Sequence, residues 1–373
     1  MPRLPTSLLL KSYRENPLLP RLLKECRTLE SARNELRWLR DGAIKAQSQK
    51  EKKKNNNCVA QIDARSWQLA LRKMCALRSK GKPLQYILGD QPFGELEILC
   101  EKGVLIPRVE TELYTIHAKD LILEGLNAKK LDSKGLRVLD VCSGSGCISL
   151  LLHSLLAPHV ENLTIAGLDV SPHALNLSLK NKAHNINNGL LTPRAEKEVI
   201  FQKSDMLDEL DTAGNLLSSL NNVSGRLSAD TSSASGQSTW DVLISNPPYI
   251  SPSDLVGGKT SRSVRKYEPM QALVPPVITK DRSLLWEESL GLENVSREDI
   301  FYPRLLYLAR KLGVKLVVFE CGDIAQARRI VDMARVIFTK GGGNENLSIY
   351  TWSGYYNSSD CDEGARAVVV RRF

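Results

Sequence analysis

The chain has 373 residues, 42% of them hydrophobic and 25% charged, and no apolar run long enough to span a bilayer. That length supports a sizeable core and predicts a soluble protein of two domains, one of them small. Lys plus Arg number 51 against 42 for Asp plus Glu, a balance of +9, which suits nucleic acid, another acidic partner or a mitochondrial address, and equally suits an ordinary solvated basic surface. The eight cysteines form no C-x-x-C pair and the five histidines are scattered. No metal site and no disulfide framework is predicted, and free thiols in a reducing compartment are expected. A glycosylation sequon at Asn222-Val-Ser224 has no accompanying sign of secretion.

Residues 1–16 carry Arg3, Lys11 and Arg14 before the first acid, Glu15, among leucines and hydroxyls. This is the composition of a short mitochondrial presequence, with a plain basic helix as the competing reading. Leu22, Leu23, Leu29, Ala32, Leu36 and Leu39 recur at roughly helical spacing and predict a helix over 17–46. The polar run around KEKKKNNN predicts a loop over 47–58. A second helix is expected over 60–78, ended by Gly81 and Pro83, which completes a helical domain over 1–82. In 83–109, "LEILC" and "GVLI" predict a hairpin linker. From 110 onward the pattern alternates strands (136–141, 163–170, 198–202, 240–245, 314–320) with helices (147–156, 172–185, 299–312, 323–337). This predicts an α/β fold, a doubly wound and mainly parallel sheet, closed by an antiparallel pair at 347–352 and 365–373. Two stretches break the rhythm: a Ser/Asn-rich insertion at 208–240, expected to be flexible, and a long loop at 251–298, expected to carry substrate.

"VLDVCSGSGCISLLL" runs from a strand through a Gly/Ser turn into an apolar helix. Gly144 and Gly146 permit a tight turn, and helix-start amides can bind polar groups. The loop is neither G-x-G-x-x-G nor a P-loop, and it lacks a basic residue for pyrophosphate. Acids stand at its strand ends instead. Asp140 precedes the turn, Asp169 is placed for ribose hydroxyls, and Asp205 for an adenine amino group, with Met206 and Leu207 against the ring. An acidic, phosphate-free site suits an adenosine bearing a positive centre, S-adenosylmethionine.

The strand "WDVLIS" runs into Asn246-Pro247-Pro248-Tyr249. An amide or aromatic amine is a poor nucleophile, so a site that methylates it must hold the NH2 in line and accept its two hydrogen bonds. Asn246 offers its side-chain oxygen, Pro247 its carbonyl on a backbone stiffened by Pro248, and Tyr249 a ring against the flat group. These four are the candidate catalytic residues.

The glycine loop, NPPY and "PLQYILGDQPFGELEILCEKGVLIPRVETE" (83–112), followed by "RKYEPMQAL" (265–273), together resemble the release-factor glutamine methyltransferase family, often called the HemK family, of the class I S-adenosylmethionine-dependent methyltransferases. The resemblance covers about residues 60–373 outside the insertion, and the N-terminus is similar to fungal mitochondrial members. It implies a seven-stranded Rossmann-like sheet and methylation of the side-chain amide of the glutamine in the Gly-Gly-Gln motif of a peptide chain release factor. The cofactor residues it implies are Thr111, Asp140, Cys142, Ser143, Gly144, Ser145, Gly146, Asp169, Asp205, Met206 and Asn246. It further implies the helical domain as the grip on the factor, no stable nucleic-acid partner, no membrane, a monomer, and a mitochondrial location with the cytoplasm as alternative. NPPY by itself also allows amino methylation of adenine or cytosine in nucleic acid. The chain departs from the family pattern at Cys142 (often Gly), Val109 (often Pro) and Met206 (often aromatic).

Overall fold

The computed structural model describes residues 3–54, 64–207, 240–278, 290, 292, 295–339, 346–354 and 366–373. The chain forms two compact units, residues 1–90 with 260–267, and residues 91–259 with 268–373. The insertion predicted at 208–240 lies, apart from Trp240, outside the described residues.

The first unit is helical: α1 (Thr6–Glu15), α2 (Leu19–Cys26), α3 (Leu29–Lys54), α4 (Ala64–Arg78) and α5 (Leu84–Leu88). Leu19, Leu22, Leu23, Ala32, Leu39, Leu71 and Cys75 form its core, with Leu8 and Leu9 of α1 packed against them. The helix expected over 17–46 is two helices. Arg27 adopts a left-handed φ of 66° that caps α2, and Thr28 Oγ1 accepts from Ser31 N to start α3. The loop expected from 47 is helical as far as Lys54, because Gln, Lys and Glu favour helix and no Gly or Pro interrupts them; residues 55–58 lie outside the described residues. A partly buried bidentate pair joins Arg78 to Glu35 at 2.7 and 2.8 Å.

In the second unit, β1 (Asp90–Phe93, entered from the first unit) and β2 (Leu96–Leu99) make a two-stranded hairpin. The "GVLI" stretch is not part of it. Val104 and Ile106 are buried there in irregular chain, and α6 (Val109–Asn127) follows, a helix not predicted from the pattern. The main sheet has seven strands: β3 (Leu136–Val141), β4 (Leu163–Asp169), β5 (Val199–Lys203), β6 (Val242–Ser245), β7 (Leu316–Glu320), β8 (Leu347–Trp352) and β9 (Ala367–Arg372). Their order is β5-β4-β3-β6-β7-β9-β8, with β9 antiparallel to both neighbours and the other pairs parallel. This is the expected doubly wound sheet. Near-continuous apolar strands follow from burial on both faces.

Strand parity sorts the side chains. Leu136, Val138, Val242, Ile244, Leu316 and Val318 pack with α6 and α7 (Cys147–Leu156). Leu139, Val141, Leu243, Val317 and Phe319 pack with α12 (Phe301–Lys311) and α13 (Ile324–Thr339). Among the described residues there are also α8 (Pro172–Asn187), α9 (Ala195–Glu198) and two short α-helices in the stretch read as loop, α10 (Pro252–Val256) and, in the first unit, α11 (Arg262–Tyr267). Strand order reverses between β3 and β6, and the crevice at the carboxyl ends there is where such sheets hold ligands.

Candidate active site

A cavity of about 930 Å³ opens at that crevice within the second unit. Thr111, Cys142, Ser143, Gly144, Ser145, Asp169, Asp205, Met206, Asn246 and Pro248 all line it. Asp140, Gly146, Pro247 and Tyr249 do not.

The floor is the β3–α7 turn. Cys142, Gly144 and Gly146 all take positive φ, 63°, 54° and 79°. Gly146 faces away from the cavity, where an added Cβ would meet Phe201 Cζ at 2.7 Å and Ser178 Cβ at 2.9 Å. Its role is to let α7 start against β5 and α8. Asp140 also lies off the cavity wall. By parity it faces α7, where it is fully buried and its Oδ2 accepts from Ser149 Oγ at 2.6 Å and Ser149 N at 3.2 Å. Burial pushes its carboxyl up to about 7 against those two bonds. Parity turns it under the turn, and it is not among the residues that line the cavity.

Asp169 ends β4 on the cavity wall. One oxygen accepts from Gly144 N at 2.8 Å, the other from Ser171 N at 2.8 Å. A carboxylate offers about four acceptor directions, so capacity remains for ligand hydroxyls. Burial raises its pKa. Asp205 accepts from Leu207 N at 2.9 Å, which sets the Met206–Leu207 turn on the wall. Ser143 Oγ is buried without a partner on the same wall, a group that a polar ligand atom would satisfy. Two guanidinium groups, unanticipated from the loop sequence, also reach the wall, but both are engaged. Arg108 pairs with Glu268 at 2.6 Å, and Arg297 Nε donates to Pro275 O at 2.8 Å. Glu268 also accepts from Ile106 N at 3.1 Å, tying the 104–108 wall to the 268–278 wall. An apolar slot with two acids, an orphan hydroxyl and no lysine fits an adenosine sulfonium better than a polyphosphate.

The NPPY turn leaves β6 as its prolines require: the ladder stops at Ser245, and Ile250 N donates to Leu273 O at 2.9 Å. Ser245 Oγ donates to Val141 O at 2.6 Å, joining the two strand exits. Asn246 Nδ2 donates to Thr111 Oγ1 at 3.3 Å, and Thr111 Oγ1 donates to Glu320 Oε2 at 2.7 Å. Tyr249 Oη donates to Glu320 Oε1 at 3.0 Å, and Gln326 Nε2 donates to Tyr249 O at 3.2 Å. Among the described residues no donor engages Asn246 Oδ1. Glu320 was not singled out in the sequence. The signal was available, since it is the one acid in the apolar strand "LVVFE" and stands at its carboxyl end, as Asp140 and Asp169 do in theirs. Burial pushes its carboxyl up to about 7, against the hydroxyls of Thr111 and Tyr249.

No family model matches the chain. It is 34% identical over 331 residues to the probable MRF1 mitochondrial N(5)-glutamine methyltransferase of Schizosaccharomyces pombe, covering 87% of both chains. It is 34% identical over 277 residues to the mitochondrial MRF1 N(5)-glutamine methyltransferase of Saccharomyces cerevisiae, covering 74% of this chain and 68% of that one. Against the release factor glutamine methyltransferase of Chlorobaculum tepidum it is 34% identical over 264 residues, covering 70% and 71%. With this identity sustained across about two thirds or more of three relatives, the chain belongs to the release factor glutamine methyltransferase family.

Proposed function

We propose that the protein methylates the side-chain amide nitrogen of the Gly-Gly-Gln glutamine of a mitochondrial peptide chain release factor, with S-adenosylmethionine as donor. The observation that carries this reading is the free acceptor Oδ1 of Asn246 on the wall of a cavity floored by the β3–α7 turn. When bound, the cofactor would supply an electrophilic methyl carbon, its C–S bond giving way to the new C–N bond. Asn246 Oδ1 and the Pro247 carbonyl accept the two N–H groups of the glutamine and hold its nitrogen in line. The nitrogen becomes tetrahedral and positively charged on transfer, and its proton leaves to water, so no strong general base is needed. Asp169 takes the ribose hydroxyls, Asp205 with Met206 the adenine, and Ser143, Gly144 and Ser145 the polar end of the cofactor. The helical unit serves as the grip on the release factor. The mitochondrial location follows the two fungal relatives whose names carry that word.

The test is a transfer assay with labelled cofactor on a mitochondrial release factor, the same factor with its tripeptide Gln changed to Ala, and duplex DNA. Label confined to the unchanged factor, mapped to the glutamine amide by mass spectrometry, is the expected result. Label on DNA would move the protein to the nucleic-acid amino methyltransferases.

A further inference from the structure

We propose that Glu320 is a positioning residue for the transfer: through Thr111 it fixes the Asn246 amide with its oxygen toward the substrate nitrogen, and it tethers the Tyr249 hydroxyl. The inference rests on the functional reading above.

Parity and register bring the two side chains together. β6 and β7 are paired in parallel up to Ser245↔Phe319, so Asn246 and Glu320 are the next pair along, on the α6 face with Ile244 and Val318. Thr111, in the first turns of α6, stands between them. Once Glu320 is ionised, the direction of the chain of bonds is forced. An ionised carboxylate only accepts, so both hydroxyls that reach Glu320 must donate to it. Thr111 has one proton, and it is spent on Glu320 Oε2. Toward Asn246 it presents lone pairs alone, so the Asn246 side that faces it, 3.3 Å away, must be the NH2. The amide oxygen is left for the cavity. Without the acceptor, Thr111 can turn its proton toward Asn246, the amide can rotate, and an NH2 would meet the NH2 of the substrate, donor against donor. Glu320 touches no ligand in this scheme; it acts through Thr111. Thr111, expected from the resemblance as a cofactor residue, becomes the middle of a substrate-orienting relay.

The experiment compares Glu320→Gln, Thr111→Val and Thr111→Ser with the wild-type enzyme, reading kcat and KM for a mitochondrial release factor, affinity for S-adenosylhomocysteine by calorimetry, and thermal stability. Glu320→Gln and Thr111→Val should each lower kcat by about 10²-fold, the scale of a misplaced reacting group. KM and S-adenosylhomocysteine affinity should stay within about threefold of wild type, as for an interaction made in the transition state. Thr111→Ser, which keeps the hydroxyl, should restore most of the rate. Should Glu320→Gln fail to fold, Thr111→Val decides alone. A kcat within about threefold of wild type in Thr111→Val, or a loss of cofactor affinity parallel to the loss of rate, overturns the inference. A wild-type enzyme that labels no release factor overturns the functional reading and this inference with it, whereas an active wild type with indifferent variants overturns the inference only.

Discussion

The two strand exits that meet at the crevice are built by opposite means. The exit of β3 is made of backbone: positive φ values at the alternate positions 142, 144 and 146, helix-start amides, and a buried acid whose hydrogen bonds among the described residues go to Ser149, nine residues away. The exit of β6 is made of side chains: Asn246 depends on Thr111, 135 residues earlier, and Tyr249 on Glu320, 71 residues later. Both exits have a fully desolvated carboxyl near their centre, Asp140 and Glu320, each pushed up to about 7. The first supports a shape and the second a direction of hydrogen bonding. A local device forms a cavity for the cofactor, whereas orienting a planar amide requires partners from three separate elements.

The largest expected effect separates the exits outright. Asn246→Ala should lower methyl transfer by about 10³-fold, the upper range for removing one preorganised hydrogen-bonding group, while S-adenosylhomocysteine affinity is retained. Equal loss of both would mean that Asn246 serves the cofactor, and the division between the exits would collapse. The counterpart on the other side is Gly146→Ala. Its Cβ would lie 2.7 Å from Phe201, so a loss of about 2–3 kcal/mol in stability is expected from crowding plus left-handed strain. Gly189→Ala is the control: it has a φ of 72° with nothing within 4 Å, and should cost about 1 kcal/mol from conformation alone. Urea unfolding of the two variants reads the difference directly.

The same contrast explains what was legible in the sequence. The seven main strands and helix α7 follow from apolar runs and Gly/Pro punctuation, which are local signals. So do the glycine turn and NPPY. Helix α6 is not legible from the pattern because its apolar residues do not follow its buried stripe: Thr111, Thr115 and Gly125 share the buried face with Tyr114, Ala118, Leu121 and Ile122, while Val109 and Leu113 are exposed. That Asp140 lies off the cavity wall is not legible in the chain, because which way a strand-end acid points depends on parity against the packed helices. Glu320 escaped notice because its partners, Thr111 and Tyr249, are brought to it only by the β6–β7 register and the seating of α6. Thr111 stood in the motif by resemblance, with no reason visible in the chain for its being a hydroxyl.

The two carboxyls also predict opposed pH dependences. Each group in the folded chain holds its proton up to about 7, against ordinary values of 3.8 for Asp and 4.5 for Glu. Between those limits the folded state binds more protons than the unfolded state. Their contribution to stability is therefore greatest below the ordinary values, and is lost as pH rises to about 7. Transfer should move the other way, rising as Glu320 loses its proton near 7 and becomes acceptor only. The groups around it are Glu110, Tyr114, Tyr249, Tyr302 and Cys321, whose phenols and thiol, where shifted, are shifted upward and stay protonated across this window. Asp140→Asn should flatten part of the stability profile and keep the limb of the rate profile, whereas Glu320→Gln should remove that limb. A rate limb near 7 that survives Glu320→Gln would assign it elsewhere.

The smallest expected effect concerns the one positive-φ residue of the β3 exit that is not glycine. Cys142 sits at a φ of 63°, a conformation costing an L-residue roughly 1–2 kcal/mol. Cys142→Gly removes that strain, but glycine also has more freedom to lose on folding, about 0.5–1 kcal/mol. It also discards a partly buried thiol packed against the core of Leu139, Val141 and Met206. These terms oppose one another, so the substitution should be close to neutral, within about 0.5 kcal/mol. Cys142→Val keeps apolar volume and adds a β-branch, which the left-handed region tolerates poorly, so a loss of about 2 kcal/mol is expected. If the conformation were not enforced by the turn, the order would reverse, because valine would fill the space better than glycine. The sign of the difference between the two variants in a single unfolding experiment thus tests whether the β3 exit is held by backbone, as the contrast with NPPY requires.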